Sequence, residues 1–177
     1  MTSQTTRYLD LNQESGRAFF SQKVSGPVFM LNLLRFREAA DYASNPLLAP
    51  TVPITGRQAY QRYMDHTSPY LRASGGEVTF FGSADRFLIG SSDERRDVVM
   101  LVRQSSRAAF LAFASNRECM AGIGHRVAAL EDSRLLPIVE DIGSDVPVSK
   151  PEANSEGSAA PQRAAGPRLN KPVSRED

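Results

Sequence analysis

The sequence predicts an α+β protein of the ferredoxin-like class, βαββαβ, with an antiparallel sheet that pairs with a second copy to form an α+β barrel. Three observations predict it. Strand-like and helix-like segments alternate in the order strand, helix, strands, helix, strand between residues 26 and 140. The two best strand candidates, "VFMLNLL" and "DVVMLV", are apolar at both alternating sets of positions, which implies that both faces become covered. Helices can cover only one face of such a sheet, and the simplest cover for the other is the same face of a second chain. A homodimer is therefore expected.

The elements follow in order. Residues 1–25 form an N-terminal extension with a short helix over 13–22, and Asn12 is its expected N-cap. "GPVFMLNLLRF" opens the domain with a strand from Val28 to Arg35. "EAADYASNPLLAPTVP" has no periodicity and reads as a long loop, a kind of segment that is often functional. "TGRQ" is a capping box, Thr55 with Gln58, and starts a helix. Tyr60, Tyr63, Met64, Thr67 and Leu71 share one face of that helix. Pro69 is expected to kink it or begin a new turn, and Gly75-Gly76 ends it.

"EVTFFG" and "RFLIG" read as two short strands around a turn at 83–85, and "SSDERR" as a polar turn before "DVVMLVR". Ser105 or Ser106 caps a helix that runs through Phe113. A second capping box, "SNRE", predicts a helix from there to Leu130, with Met120, Ile123, Val127 and Leu130 as its apolar stripe. "SRLLPIV" is the last strand, and Pro137 marks a sheet edge or the strand's end. Residues 141–177 hold five of the eleven prolines and no aromatic side chain. That composition cannot offset the entropy of ordering, so a disordered C-terminal tail is expected.

Composition narrows the function classes. Lys and Arg total 21 against 20 Asp and Glu, with no basic stripe, which argues against nucleic acid as the partner. No apolar run approaches the ~20 residues of a spanning helix, and the first residues lack an apolar signal core, so neither a membrane nor export is expected and the expected compartment is the cytoplasm. The single cysteine, Cys119, leaves no intramolecular disulfide and no Cys-built zinc site. Phosphate loops, dinucleotide fingerprints and nucleophile elbows are absent, and neither a metal nor an organic cofactor is expected.

Four stretches, "GPVFMLNLLRFRE", "ITGRQAYQRYMDHTSPYLRASGGEV", "RRDVVMLVRQSSRAAFLAFASN" and "GHRVAALEDSRLLPIV", cover most of residues 26–139. In order and spacing they resemble the "domain of unknown function 1330" family of dimeric α+β barrel proteins. The resemblance implies the ferredoxin-like fold, dimerisation through the sheets, and a pocket either between sheet and helices or inside the dimer barrel. Structural relatives of that family include cofactor-free monooxygenases, muconolactone-type isomerases and haem-dependent enzymes. Where many members carry an acidic residue and an aromatic pair, this chain has "LVRQSSRAAFLAF".

The candidate site residues are polar groups set against apolar elements. Asn32 and Arg35 lie in one strand, three residues apart, and so face opposite ways. Asn32 either bonds backbone or orients a ligand oxygen in an apolar pocket. Arg35 is a second candidate substrate-binding residue, or else a strand-end cation in water. His125 and His66, the only histidines, are the candidate proton-transfer groups, His125 nearly opposite its helix's apolar stripe and His66 on a helix flank. Tyr60 and Tyr63 could reach a pocket with their hydroxyls. Arg126 could hold an anionic substrate group, the plainer alternative being a salt bridge to Glu131 or Asp132. The function these residues point to is binding of a small organic molecule, with cofactor-free isomerisation or oxygenation as the chemistry if the protein is an enzyme. The alternative is a non-catalytic homodimeric interaction module with a partner-binding tail.

Overall fold

The computed structural model describes residues 8–10, 12–21 and 25–140. The expected tail, 141–177, lies outside them.

Helix α1 spans Gln13–Ser21, and the Asn12 side chain accepts a hydrogen bond from the Glu14 N–H at 2.8 Å, as a cap should. Strands β1 (Val28–Phe36), β2 (Glu77–Ser83), β3 (Val98–Gln104) and β4 (Leu130–Ile138) form one sheet in the order β2-β3-β1-β4, every neighbouring pair antiparallel. Helix α2 (Gly56–Ala73) connects β1 to β2. Helices α3 (Arg107–Ser115), α4 (Arg117–Met120) and α5 (Ile123–Ala129) connect β3 to β4. This is the ferredoxin-like arrangement expected.

The central strands alternate. Val28, Met30, Leu34 and Phe36 of β1 and Val98, Met100 and Val102 of β3 are buried beneath the helices. The odd-numbered positions of β1 and β3 are only half-buried, so a single chain covers one face and not two. On the open face Leu31 stands between Leu101 and Leu136, with Phe80 beyond Leu101. Phe80 and Leu136 are each 56% exposed.

Pro137 sits on an edge strand, as its ring demands. The Leu34 carbonyl accepts from the Asp97 N–H, so even-numbered residues of β1 direct their backbone groups towards β3. Pro137 opposes Met30, and its nitrogen therefore faces away from the ladder, where no donor is needed.

The capping box at Thr55 and Gln58 is complete, with both reciprocal hydrogen bonds formed. Pro69 does not interrupt α2, which runs unbroken through it. Two predicted elements differ. "RFLIG" is not a strand: 84–97 is a loop joined by one bridge, Arg86 with Arg95, and Leu88 and Ile89 are fully exposed. Both flanks of β3 are already occupied by β1 and β2, and the hairpin projects past the sheet's end, so this run has no ladder to join.

The helix predicted from "SNRE" to Leu130 is two helices. Asn116, not Ser115, caps the first by accepting from the Cys119 N–H. The break falls where Gly122 and Gly124 allow close approach. A Cβ on Gly122 would lie 2.2 Å from the His66 ring, and one on Gly124 would lie 2.7 Å from Asn45 and from Leu48. Leu130 begins β4 instead. Among the described residues no helix is long and apolar enough to cross a membrane.

Candidate functional site

A recess of about 450 Å³ lies between the helix-covered face of the sheet and α2, α3 and the α4–α5 segment. Its walls follow from the two periodicities. Inward positions of the strands supply Met30, Met100, Val102 and Leu135, and one face of α2 supplies Tyr60, Tyr63, Met64, Thr67 and Leu71. Leu9 and Phe20 from the N-terminal segment close one side. Phe20 stacks with Phe110 at 6.4 Å, and Phe19 meets Phe110 edge-on at 6.1 Å.

Four of the seven predicted site residues meet at this cavity: Asn32, Tyr60, Tyr63 and Arg126. The Asn32 amide nitrogen donates to the Met30 carbonyl at 2.9 Å, and the residue lines the cavity. Tyr60 is 3% exposed, and neither its hydroxyl nor that of Tyr63 has a hydrogen-bond partner among the described residues. Burial, and for Tyr60 the neighbouring Tyr63, raises both phenols above their ordinary range, and the Arg126 charge works the other way. Both therefore stay protonated at neutral pH and can donate to a ligand oxygen.

Arg126 makes no ion pair with Glu131 or Asp132. It donates from Nη1 to the Leu9 carbonyl at 2.9 Å and from Nη2 to Ser133 Oγ at 3.1 Å. Asp10 also lines the cavity, yet it forms no ion pair with Arg126. Arg126 is thus a half-buried guanidinium held by two neutral oxygens at the edge of an apolar cavity.

The other three predicted residues stand elsewhere. His125 Nδ1 is 2.8 Å from the Tyr42 hydroxyl, with the two rings edge to face at 5.7 Å. Burial, then the charges of Arg62 and His66, lowers its pKa below the ordinary value. His66 Nε2 donates to the Glu118 carbonyl at 2.9 Å and fills the space above Gly122. Both imidazoles thus tie α2, the α4–α5 segment and the long 37–55 loop together, and neither lines the cavity. That loop is also fixed by backbone bonds from Ala40 to Ile54 and from Asp41 to Ala128.

Arg35 is on the opposite face of β1 from Asn32, as their spacing requires, and its Nε lies 3.1 Å from Glu131. It borders a smaller polar recess of about 290 Å³. There Arg96 meets Glu94 at 2.6 Å and Asp132 at 3.4 Å, and Arg134 meets Asp132 at 2.6 Å. Charges in that recess neutralise one another.

Gln104 is among the polar groups of the main cavity that sequence reasoning missed. Gln104 is 1% exposed, and its Oε1 is buried without a hydrogen-bond partner. The signal was available: Val98, Met100 and Val102 are the inward positions of their strand, and 104 is the next of that parity.

The chain is similar to the RPA0582 protein of Rhodopseudomonas palustris, a protein of unknown function. The two are 33% identical over 75% of this chain and 96% of that one, with a TM-score of 0.67. It is 31% identical to the methylated RPA0582 protein over 78% of this chain and 100% of that one, at a TM-score of 0.69. A "dabb family protein with a ferredoxin-like fold" from Mesorhizobium loti is 15% identical over 66% of this chain and 98% of that one, with a TM-score of 0.39. No protein-family model matches the chain, that of the "domain of unknown function 1330" family included, and no curated protein matches it.

Proposed function

The chain belongs to the family of the Rhodopseudomonas palustris RPA0582 protein, itself of unknown function, so no activity passes to it by kinship, and from the cavity we propose that it binds a small, mostly apolar organic molecule. The observation that carries this is the convergence of Asn32, Tyr60, Tyr63 and Arg126 on one apolar space of about 450 Å³. That combination of a large apolar wall and a few convergent polar groups is how ligand pockets are built. Two phenol donors and a guanidinium at one end suit a carboxylate or an enolate oxygen of the ligand.

Such groups would also stabilise an oxyanion formed during isomerisation or oxygenation of an activated substrate. Tyr60 and Tyr63 would serve as donors, because burial keeps them protonated. His125 and His66 would enter such chemistry only if a substrate also reached the outer side of α5, so binding is the reading the cavity favours.

The working unit we propose is a homodimer joined through the open sheet faces. The apolar row formed by Phe80, Leu101, Leu31 and Leu136, exposed at its two ends and half-buried between them, supports this, since a monomer gains nothing by wetting it. The same row is what an interaction module with another partner would offer. Ligand binding decides between the two readings.

A thermal-shift screen of small carboxylates, phenols and lactones, run on the wild-type protein and on Asn32→Leu and Arg126→Met, tests the proposal. A ligand present at about 100 times its Kd stabilises the fold by ~2.7 kcal/mol, which a melt resolves easily. The expected result is a hit among the carboxylates that both variants weaken. Silence across the panel, or hits indifferent to both substitutions, would sink it.

A further inference from the structure

Gln104 lies at the far end of the cavity from Arg126, and its amide is idle. Its Oε1 is enclosed beside Gly76 and Leu71, where a Cβ on Gly76 would come within 2.8 Å of it. Neither atom of the amide forms a hydrogen bond among the described residues, though the residue is 1% exposed. A buried amide without partners is costly, and that cost is recovered by any ligand group that bonds to it.

The register sets the separation of the two ends. Arg126 bonds Ser133, which pairs with Leu34, whereas Gln104 pairs with Val28. Six steps along β1 at ~3.3 Å each separate those rungs by about 20 Å. Subtracting a hydrogen bond of ~3 Å at each end leaves a ligand about 14 Å long.

Between the ends the wall is apolar and adaptable. Met30, Met64, Met100 and Met120, all four methionines beyond the first residue, line it. Their unbranched thioethers fit a chain or a ring about equally well.

Resting on the reading of Arg126 as the anion end, we infer that the ligand is an elongated apolar acid with a hydroxyl at its opposite end, and that Gln104 is the residue that selects this hydroxyl. A hydroxyl both gives and takes a hydrogen bond, so it satisfies the amide in either orientation. An ammonium at that position would be buried without a carboxylate.

The test is a pair of acids differing only at the far end, dodecanoate and ω-hydroxydodecanoate, titrated by calorimetry into the full-length wild-type protein and into Gln104→Leu. In the wild type the hydroxy acid binds about tenfold tighter. In Gln104→Leu the order reverses, because the hydroxyl is then buried against leucine. If dodecanoate binds the wild type and the added hydroxyl weakens binding or leaves it unchanged, the role of Gln104 is refuted while the cavity proposal stands. The same holds if other acids bind and neither of these does, or if residue 104 has no influence, as for an acid adsorbed on the open sheet face. Should no acid of any length bind, the proposed function itself has failed. The wild-type comparison needs no variant, and Gly76→Ala, which pushes a methyl group against the amide, gives a second route if Gln104→Leu does not fold.

Discussion

Gly56→Ala should destabilise this protein, although in most helices the change would help. Gly56 is the first residue of α2, directly after the Thr55 cap. An added Cβ would lie 2.4 Å from the Arg37 carbonyl oxygen, 2.5 Å from the Ala129 carbonyl oxygen and 2.8 Å from the Arg37 nitrogen. All three are backbone atoms and cannot swing aside. Two hydrogen bonds cross this point, Gly56 N–H to the Arg37 carbonyl at 3.1 Å and Arg37 N–H to the Ala129 carbonyl at 2.9 Å. Moving the carbonyls out to ordinary contact weakens both, at roughly 1 kcal/mol each, and overpacking adds about 1–3 kcal/mol. Better helix propensity and a less flexible unfolded chain return ~1 kcal/mol. The net loss is about 2–4 kcal/mol, read as a lower urea midpoint at unchanged slope by far-UV circular dichroism. The site should suffer too, because Tyr60 sits one turn further along and packs on Phe36 at 5.4 Å. A Gly56→Ala protein as stable as the wild type, or more so, would refute the idea that α2 is clamped between the ends of β1 and α5.

Gly122→Ala should cost about 1–3 kcal/mol in a urea melt, because its Cβ would fall 2.2 Å from the His66 ring. His66→Ala made in the same chain should recover most of that loss, and a double-mutant cycle without coupling would contradict the contact. His125 contributes a pH dependence whose sign follows from its lowered pKa. The folded protein prefers it neutral, so its contribution is full above 6.5 and is lost as the pH falls from there towards the folded value. Thermal melts stepped through that window should show the decline in the wild type and a flatter profile in His125→Gln. Leu101→Glu, at the centre of the open face, should halve the mass measured by light scattering while leaving the circular dichroism spectrum intact. A wild-type protein that is already monomeric would dispose of the proposed dimer.

Much of this molecule could be read from local pattern. The Thr55–Gln58 box formed as predicted because its two hydrogen bonds join residues three apart and need nothing distant. The apolar run "DVVMLV" marked β3 as a strand without telling its two faces apart, and the spacing of Tyr60, Tyr63, Met64 and Leu71 put them on one wall. The failures share one cause. "RFLIG" has strand-like residues but no free strand to pair with, and the "SNRE" helix breaks where Gly122 and Gly124 meet side chains from α2 and the 37–55 loop. Local propensity carries no information about such distant partners.

The candidate site divides the same way. The sequence by itself determined the fold class, the strand order's antiparallel sense and which faces of which elements are apolar, since period and capping are properties of neighbours along the chain. Only the tertiary structure decided that Asn32, Tyr60, Tyr63 and Arg126 share a cavity with Gln104, while His66 ties α2 to α4, His125 ties α5 to the 37–55 loop and Arg35 pairs with Glu131. A residue's face can be counted from its position. What it meets there depends on segments tens of residues away, brought together by burying apolar surface.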